Sequence, residues 1–191
     1  MLSKDIFLIL PPYFLKHISM NYLRQFIIPF SGLKPGVHHY DLVIDNKFFE
    51  SLDYSTFRKG SLTVGVELNR QERMLIFDFD IHGTVEVECD RCLDLIKYPV
   101  NTNRRLIFKF GEKWEDLTDE IVIIPESEYQ IDLSHFFYEF ISLTLPMRRV
   151  HPDDAEGNST CNQEMLKFLG YHPSGKVEDP RWEALKKLKN K

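Results

Sequence analysis

Cys89-Asp90-Arg91-Cys92 is the stretch of this chain best equipped for chemistry. Two thiols two residues apart, at the end of a strand-like run, can grip one metal ion from a tight turn. Zinc takes four ligands, and one other thiol is on offer. The remaining cysteine is Cys161, in a polar stretch that His151 opens. Cys89, Cys92, His151 and Cys161 therefore make a candidate Cys3His set for a structural zinc. Metal binding would contribute folding free energy where little apolar surface is available to do so. Two other uses of the thiols stay open. They can be small buried side chains without chemistry, or Cys89 and Cys92 can form a redox pair. The redox form of C-x-x-C normally opens a helix in a βαβ unit, and no such unit is visible here. Three cysteines are also a poor disulfide framework, which points to a reducing compartment such as the cytoplasm.

Signatures of catalysis are missing. The chain has no H-E-x-x-H, no G-x-S-x-G, no Walker A loop and no dinucleotide fingerprint. Zinc deaminases need H-x-E and then P-C-x-x-C, but here Glu88 precedes Cys89, and His82-Gly83-Thr84 lacks the glutamate. Four protein ligands would leave zinc no open position for substrate. The residues thus favour a structural site in a non-enzymatic binding protein. A metal-dependent RNA-processing enzyme is the competing reading, because Asp153 and Asp154 lie close to His151. A redox-responsive binding module built on Cys89 and Cys92 is the third.

The formal net charge of -5 excludes a protein that coats nucleic acid through bulk electrostatics. Local basic groups remain. Arg104 and Arg105 stand with Lys109, Arg148 and Arg149 precede His151, and from Lys176 onward six Lys/Arg face three Asp/Glu. Arg104, Arg105, Arg148, Arg149, Lys186 and Lys187 are candidates for contact with RNA phosphates or a protein partner, and Trp182 could stack on a base. The alternative for each is an ordinary solvated charge, and for Trp182 packing on its own domain. No small-molecule substrate or membrane partner is expected.

A hydrophobic fraction of 43% with 15 Phe predicts a folded domain to position these residues. Strand patterns are predicted at 25–30, 40–44, 61–68, 74–81, 83–89, 95–100, 106–110 and 121–124, with one helical turn near 48–54. Many alternate with period 2 and leave one polar face, as in an antiparallel sheet with one side wet. The period changes at Ile131. Leu133, Phe136, Phe137, Phe140, Ile141 and Thr144 form one helical stripe, Asp132 is suited to cap it, and Pro146 ends it. Burying its three Phe side chains would contribute about 5–9 kcal/mol before entropy costs. A short helix is predicted over 164–169 and another beyond Asp179-Pro180. The fold expected is α+β, a mostly antiparallel sheet or partly closed barrel with one long packing helix and a short C-terminal helix. Residues 1–19 read as a leader or overlong start, 20–170 as the domain and 171–191 as a basic C-terminal segment. The apolar run Ile6–Leu10 is too short to span a bilayer, and no other stretch approaches that length.

Four motifs in order carry a resemblance. They are Val87-Glu88-Cys89-Asp90-Arg91-Cys92, Ile131-Asp132-Leu133 running to Leu143-Thr144-Leu145-Pro146, the following His151 and Cys161, and Asp179-Pro180-Arg181-Trp182-Glu183-Ala184-Leu185 with Lys187-Leu188-Lys189. Over residues 20–191 the chain resembles the bacterial YceD family. The resemblance implies a cytoplasmic factor tied to accumulation of the large-subunit (23S) ribosomal RNA. Genes of the family often lie beside one for a large-subunit ribosomal protein. The partners so implied are a 23S precursor or a large-subunit ribosomal protein. The family supplies no catalytic residue to carry over.

Overall fold

The computed structural model describes residues 22–57 and 59–169. The expected leader, the basic segment 171–191, and with it Trp182, Lys186 and Lys187, lie outside the described residues. The chain divides into two compact units. One holds residues 22–88 with 95–149, and the other holds 89–94 with 150–169.

The larger unit is an α+β structure built on a six-stranded sheet. Its strands are β2 (Gly36–Ile44), β3 (Lys59–Arg70), β4 (Met74–Glu88), β5 (Leu95–Gly111), β7 (Ile121–Pro125) and β6 (Glu115–Thr118), in that order across the sheet. All neighbours are antiparallel except β5 and β7. The sheet is not closed, with β2 and β6 at its edges among the described residues. A small antiparallel pair, β1 (Ile27–Pro29) with β8 (Gln130–Asp132), supplements it.

Alternation builds the core. Leu62, Val64, Val66 and Leu68 of β3 and Leu75, Phe77, Phe79 and Ile81 of β4 are buried, while Asp78 and Asp80 take the opposite, wet face. Helix α1 (Asn46–Glu50) starts at Asp45, whose carboxylate accepts from the Lys47 and Phe48 N–H groups. Helix α2 (Ser134–Thr144) is the long helix expected from the stripe. Phe137 and Phe140 meet Phe79 at ring-centroid distances of 5.5 and 5.6 Å, and Phe136 meets Phe108 at 5.7 Å. Asp132 belongs to β8 rather than to the cap position, yet its carboxylate still accepts from the Ser134 N–H at 2.8 Å.

Two pairs of predicted strands are each a single strand. β4 runs unbroken through Gly83, which opposes Leu62 and has φ +150. A side chain there would collide with the backbone of Ser61 and Leu62, so the glycine serves close strand approach rather than a turn. β5 likewise continues past Pro99. That proline is tolerated because β5 pairs with β7 only from Ile107 onward, leaving the Pro99 side of the strand unpaired among the described residues. The short strands β6 and β8 carry no long apolar alternation and are not visible in the sequence pattern.

Candidate metal centre

The smaller unit consists of a six-residue excursion between β4 and β5, Cys89–Asp94, and the segment from Val150. The excursion folds as a tight knuckle. The Leu93 N–H donates to the Cys89 carbonyl and the Cys89 N–H to the Asp94 carbonyl, both at 2.9 Å. Closing so sharply puts Leu93 at φ +65, which makes it the single non-glycine residue with positive φ among those described. The turn aims backbone N–H groups at the sulfurs. Arg91 N–H donates to Cys89 Sγ at 3.4 Å.

The other half is shaped by a hairpin within the polar stretch that His151 opens. Nine residues separate His151 from Cys161. They double back at Asp154, whose carboxylate accepts from the Glu156 and Asn158 N–H groups at 3.0 and 2.7 Å. Gly157 takes φ +84 there, and Asp153 bridges to Ser159. The Thr160 hydroxyl donates to the Pro152 carbonyl at 2.6 Å. These bonds return the chain to its starting point, so His151 and Cys161 become neighbours. The pattern Asp154-Ala155-Glu156-Gly157-Asn158 was the available signal: an aspartate able to bond its own turn, then a glycine at the left-handed position. Beyond Cys161, Asn162 caps helix α3 (Gln163–Phe168) by accepting from the Glu164 N–H at 3.0 Å.

Cys89, Cys92, His151 and Cys161 are thereby brought together, with ligand atoms all within 4.8 Å of one another. Cys89 Sγ lies 3.8 Å from Cys161 Sγ, Cys92 Sγ 3.4 Å from His151 Nδ1, and Cys161 Sγ 3.8 Å from the same nitrogen. Tetrahedral zinc with bonds of about 2.3 Å to sulfur and about 2.0–2.1 Å to nitrogen requires ligand separations of about 3.8 Å and about 3.6 Å. The donor set and spacing fit that ion. The cysteines are free thiols, all buried.

Electrostatics agrees with the fit. Burial pushes the Cys89 thiol up, but N–H donors from Cys92, Arg91 and His151, with the His151 ring, outweigh it and bring Cys89 down to about 6. Burial pushes Cys92 up as well. The Asn162 and Asp94 N–H groups oppose this, and the Cys89 and Cys161 sulfurs reinforce it. Several thiolates crowded out of water repel one another, and a divalent cation reverses that preference. A further tie, invisible in the sequence, joins the two halves: Arg91 Nη1 donates to Ser159 Oγ at 2.6 Å, and Ser159 Oγ accepts from the Cys161 N–H at 3.3 Å.

Of the two acids offered for the enzyme reading, Asp154 has other work. Asp154 is held below its usual carboxylate range by its hydrogen bonds with Asn158, Glu156 and Gly157, so it is a turn-former. Arg104 and Arg105 do not form one patch. Adjacent residues on a strand face opposite ways, and Arg105 grips Asp78 through two bonds of 2.7 and 2.9 Å. Arg148 and Arg149 follow α2 in the larger unit, Arg148 exposed and Arg149 half-buried. Among the described residues no helix is long and apolar enough to cross a membrane.

Residues 77–189 match the model of a family described as large ribosomal RNA subunit accumulation protein YceD. The uncharacterized protein YlbN of Bacillus subtilis (strain 168) is 28% identical over 119 residues, which cover 62% of this chain and 68% of that protein. No solved structure matches.

Proposed function

We propose, because this chain belongs to the YceD family of large ribosomal RNA subunit accumulation proteins, that it sustains 23S ribosomal RNA as a cytoplasmic, non-enzymatic binding factor in large-subunit biogenesis. The observation that carries this reading is the donor set itself. Cys89, Cys92, His151 and Cys161 converge as four protein ligands, and a four-ligand zinc is closed to substrate. Such an ion would be a staple. It would tie the knuckle to the hairpin and hold the surface of the smaller unit rigid for a partner.

The partner is 23S precursor RNA or a large-subunit ribosomal protein. With a net charge of -5, RNA contact is confined to local cations. Arg104, Arg148 and Arg149, together with Trp182, Lys186 and Lys187 of the C-terminal segment, are the residues assigned to it. Arg105 contributes less, since its guanidinium already serves Asp78.

Sucrose-gradient fractionation with 23S quantification tests the proposal. The protein should co-sediment with large-subunit precursors, and its depletion should lower 23S relative to 16S RNA. Sedimentation only at the top of the gradient, with 23S unchanged on depletion, would overturn it. Cleavage of precursor RNA by purified metal-loaded protein would favour the enzyme reading instead.

A further inference from the structure

The six-stranded sheet ends at β2 in a strand that has β3 on one side and no strand on the other among the described residues. β2 is nine residues long, and its register with β3 is unbroken from Gly36–Arg70 to Ile44–Leu62. One-sided pairing leaves alternate N–H and C=O groups pointing outward, a template for a further strand. Edges are normally closed by brevity, bulges, proline or lysine. The other free edges of this sheet use those devices. β6 has four residues and a register shift, and the unpaired stretch of β5 carries Lys97 and Pro99. β2 has no proline, no lysine and no bulge.

Charge identifies what such a strand could be. Beside β2, the outer face of the sheet carries Asp41, Glu67, Asp78 and Asp80 around a depression of about 290 Å3. The depression exists because Gly65 has no side chain, and a Cβ there would meet Asp80 only at 3.8 Å. Some of this charge is answered within the sheet: Arg105 pairs with Asp78, and His82 lies 2.6 Å from Asp80. Asp41 on β2 and Glu67, which lies 3.7 Å from His39 and also feels the Arg105 charge, are the acids nearest the edge. RNA phosphates are repelled by this face. An extended cationic polypeptide is attracted to it, and every second side chain of an added strand points to the same face.

We propose that β2 accepts a lysine- or arginine-rich extended segment of a partner protein as a seventh strand. Its backbone pairs with β2, and its cationic side chains lie over Asp41 and Glu67. Strands pack about 4.8 Å apart, so a lysine opposite Asp41 on the incoming strand reaches it directly, and one opposite His39 faces Glu67 across β2. β2 precedes residue 77, where the family match begins, and the inference does not depend on the metal centre. Its failure would leave the gradient and 23S measurements as they stand.

Fluorescence anisotropy with the full-length protein tests it. The probes are labelled ten-residue peptides of alternating lysine and threonine, alternating lysine and proline, and alternating glutamate and threonine. The lysine–threonine peptide should bind about tenfold or more tighter than the others, and the D41K/E67K variant should lose about tenfold, the scale of one good charge contact. Hydrogen exchange should show new protection of the amides at 36–44 on binding. Circular dichroism of the variant should match the parent. The proposal is overturned by absence of binding, by equal binding of the lysine–proline peptide, or by unchanged affinity in a folded D41K/E67K protein. It is also overturned if the alternate β2 amides that point away from β3 are already protected in the free chain, which would mean that the chain covers its own edge.

Discussion

At the residue scale the knuckle carries the sharpest expectations. Each of Cys89, Cys92, His151 and Cys161 supplies one of four donors, so replacing any of them removes a quarter of the shell and leaves the others crowded. Cys92→Ser should therefore drop zinc below one ion per chain in elemental analysis and lower the melting temperature of the metal-loaded protein. Full metal content and an unshifted melt would remove the assignment. Leu93 makes the opposite case. Its left-handed backbone, at φ +65, is set by the knuckle and costs a leucine about 1–2 kcal/mol. Leu93→Gly should relieve that cost, less the extra chain entropy of glycine, for a net gain of up to about 1 kcal/mol. Competition with a chromogenic chelator reads the gain as tighter metal retention. At this scale the ligand types were legible in the sequence, because thiols are rare and the chemistry of thiol and imidazole is specific. The supporting donors were not. Backbone N–H groups leave no trace in residue identity, and Ser159 looks like any loop serine until it accepts from Arg91.

At the element scale, periodicity reported which segments are strands and missed where they are continuous. Gly83 looked like a break between two strands, and it sits inside β4 where a side chain would strike the backbone of Ser61 and Leu62. Gly83→Ala should destabilise the protein by about 2–4 kcal/mol, by forcing a strained backbone and pushing β3 from β4. A urea midpoint little changed from the parent would contradict the close-approach account. The long helix was legible because Phe137, Phe140 and Ile141 repeat at helical spacing and are all buried as expected. Phe136, on the same stripe, is only half-buried, packing at the side of Phe108. The hairpin between Pro152 and Thr160 went unread because its bonds run from the Asp154 carboxylate to backbone, in a stretch without apolar alternation.

At the scale of the whole molecule, the two units rest on different physics. The larger has a continuous apolar core drawn from both sheets and from α1 and α2. Among the described residues of the smaller, the buried side chains are Cys89, Cys92, Cys161 and Leu166. So little apolar burial cannot offset the ordering entropy of its backbone, which is why a metal would matter there. A strong zinc chelator should abolish hydrogen-exchange protection at 89–94 and 150–169 and leave that of β3 and β4 intact. Unchanged protection in the smaller unit after verified metal removal would show that it holds without the ion.

Residue chemistry and periodicity alone determined that this chain is α+β, strand-rich before Pro125 and helical after Ile131, and offered its three cysteines with His151 as one candidate set. Both properties depend on local spacing and side-chain type, which a linear chain displays. Tertiary structure alone decided that β4 and β5 are unbroken, that the nine residues after His151 fold back to deliver Cys161, and that β2 ends the sheet, among the described residues, as an unpaired, acid-flanked edge. Those outcomes depend on which backbone groups meet across long separations, and a backbone group is the same at every position in a sequence.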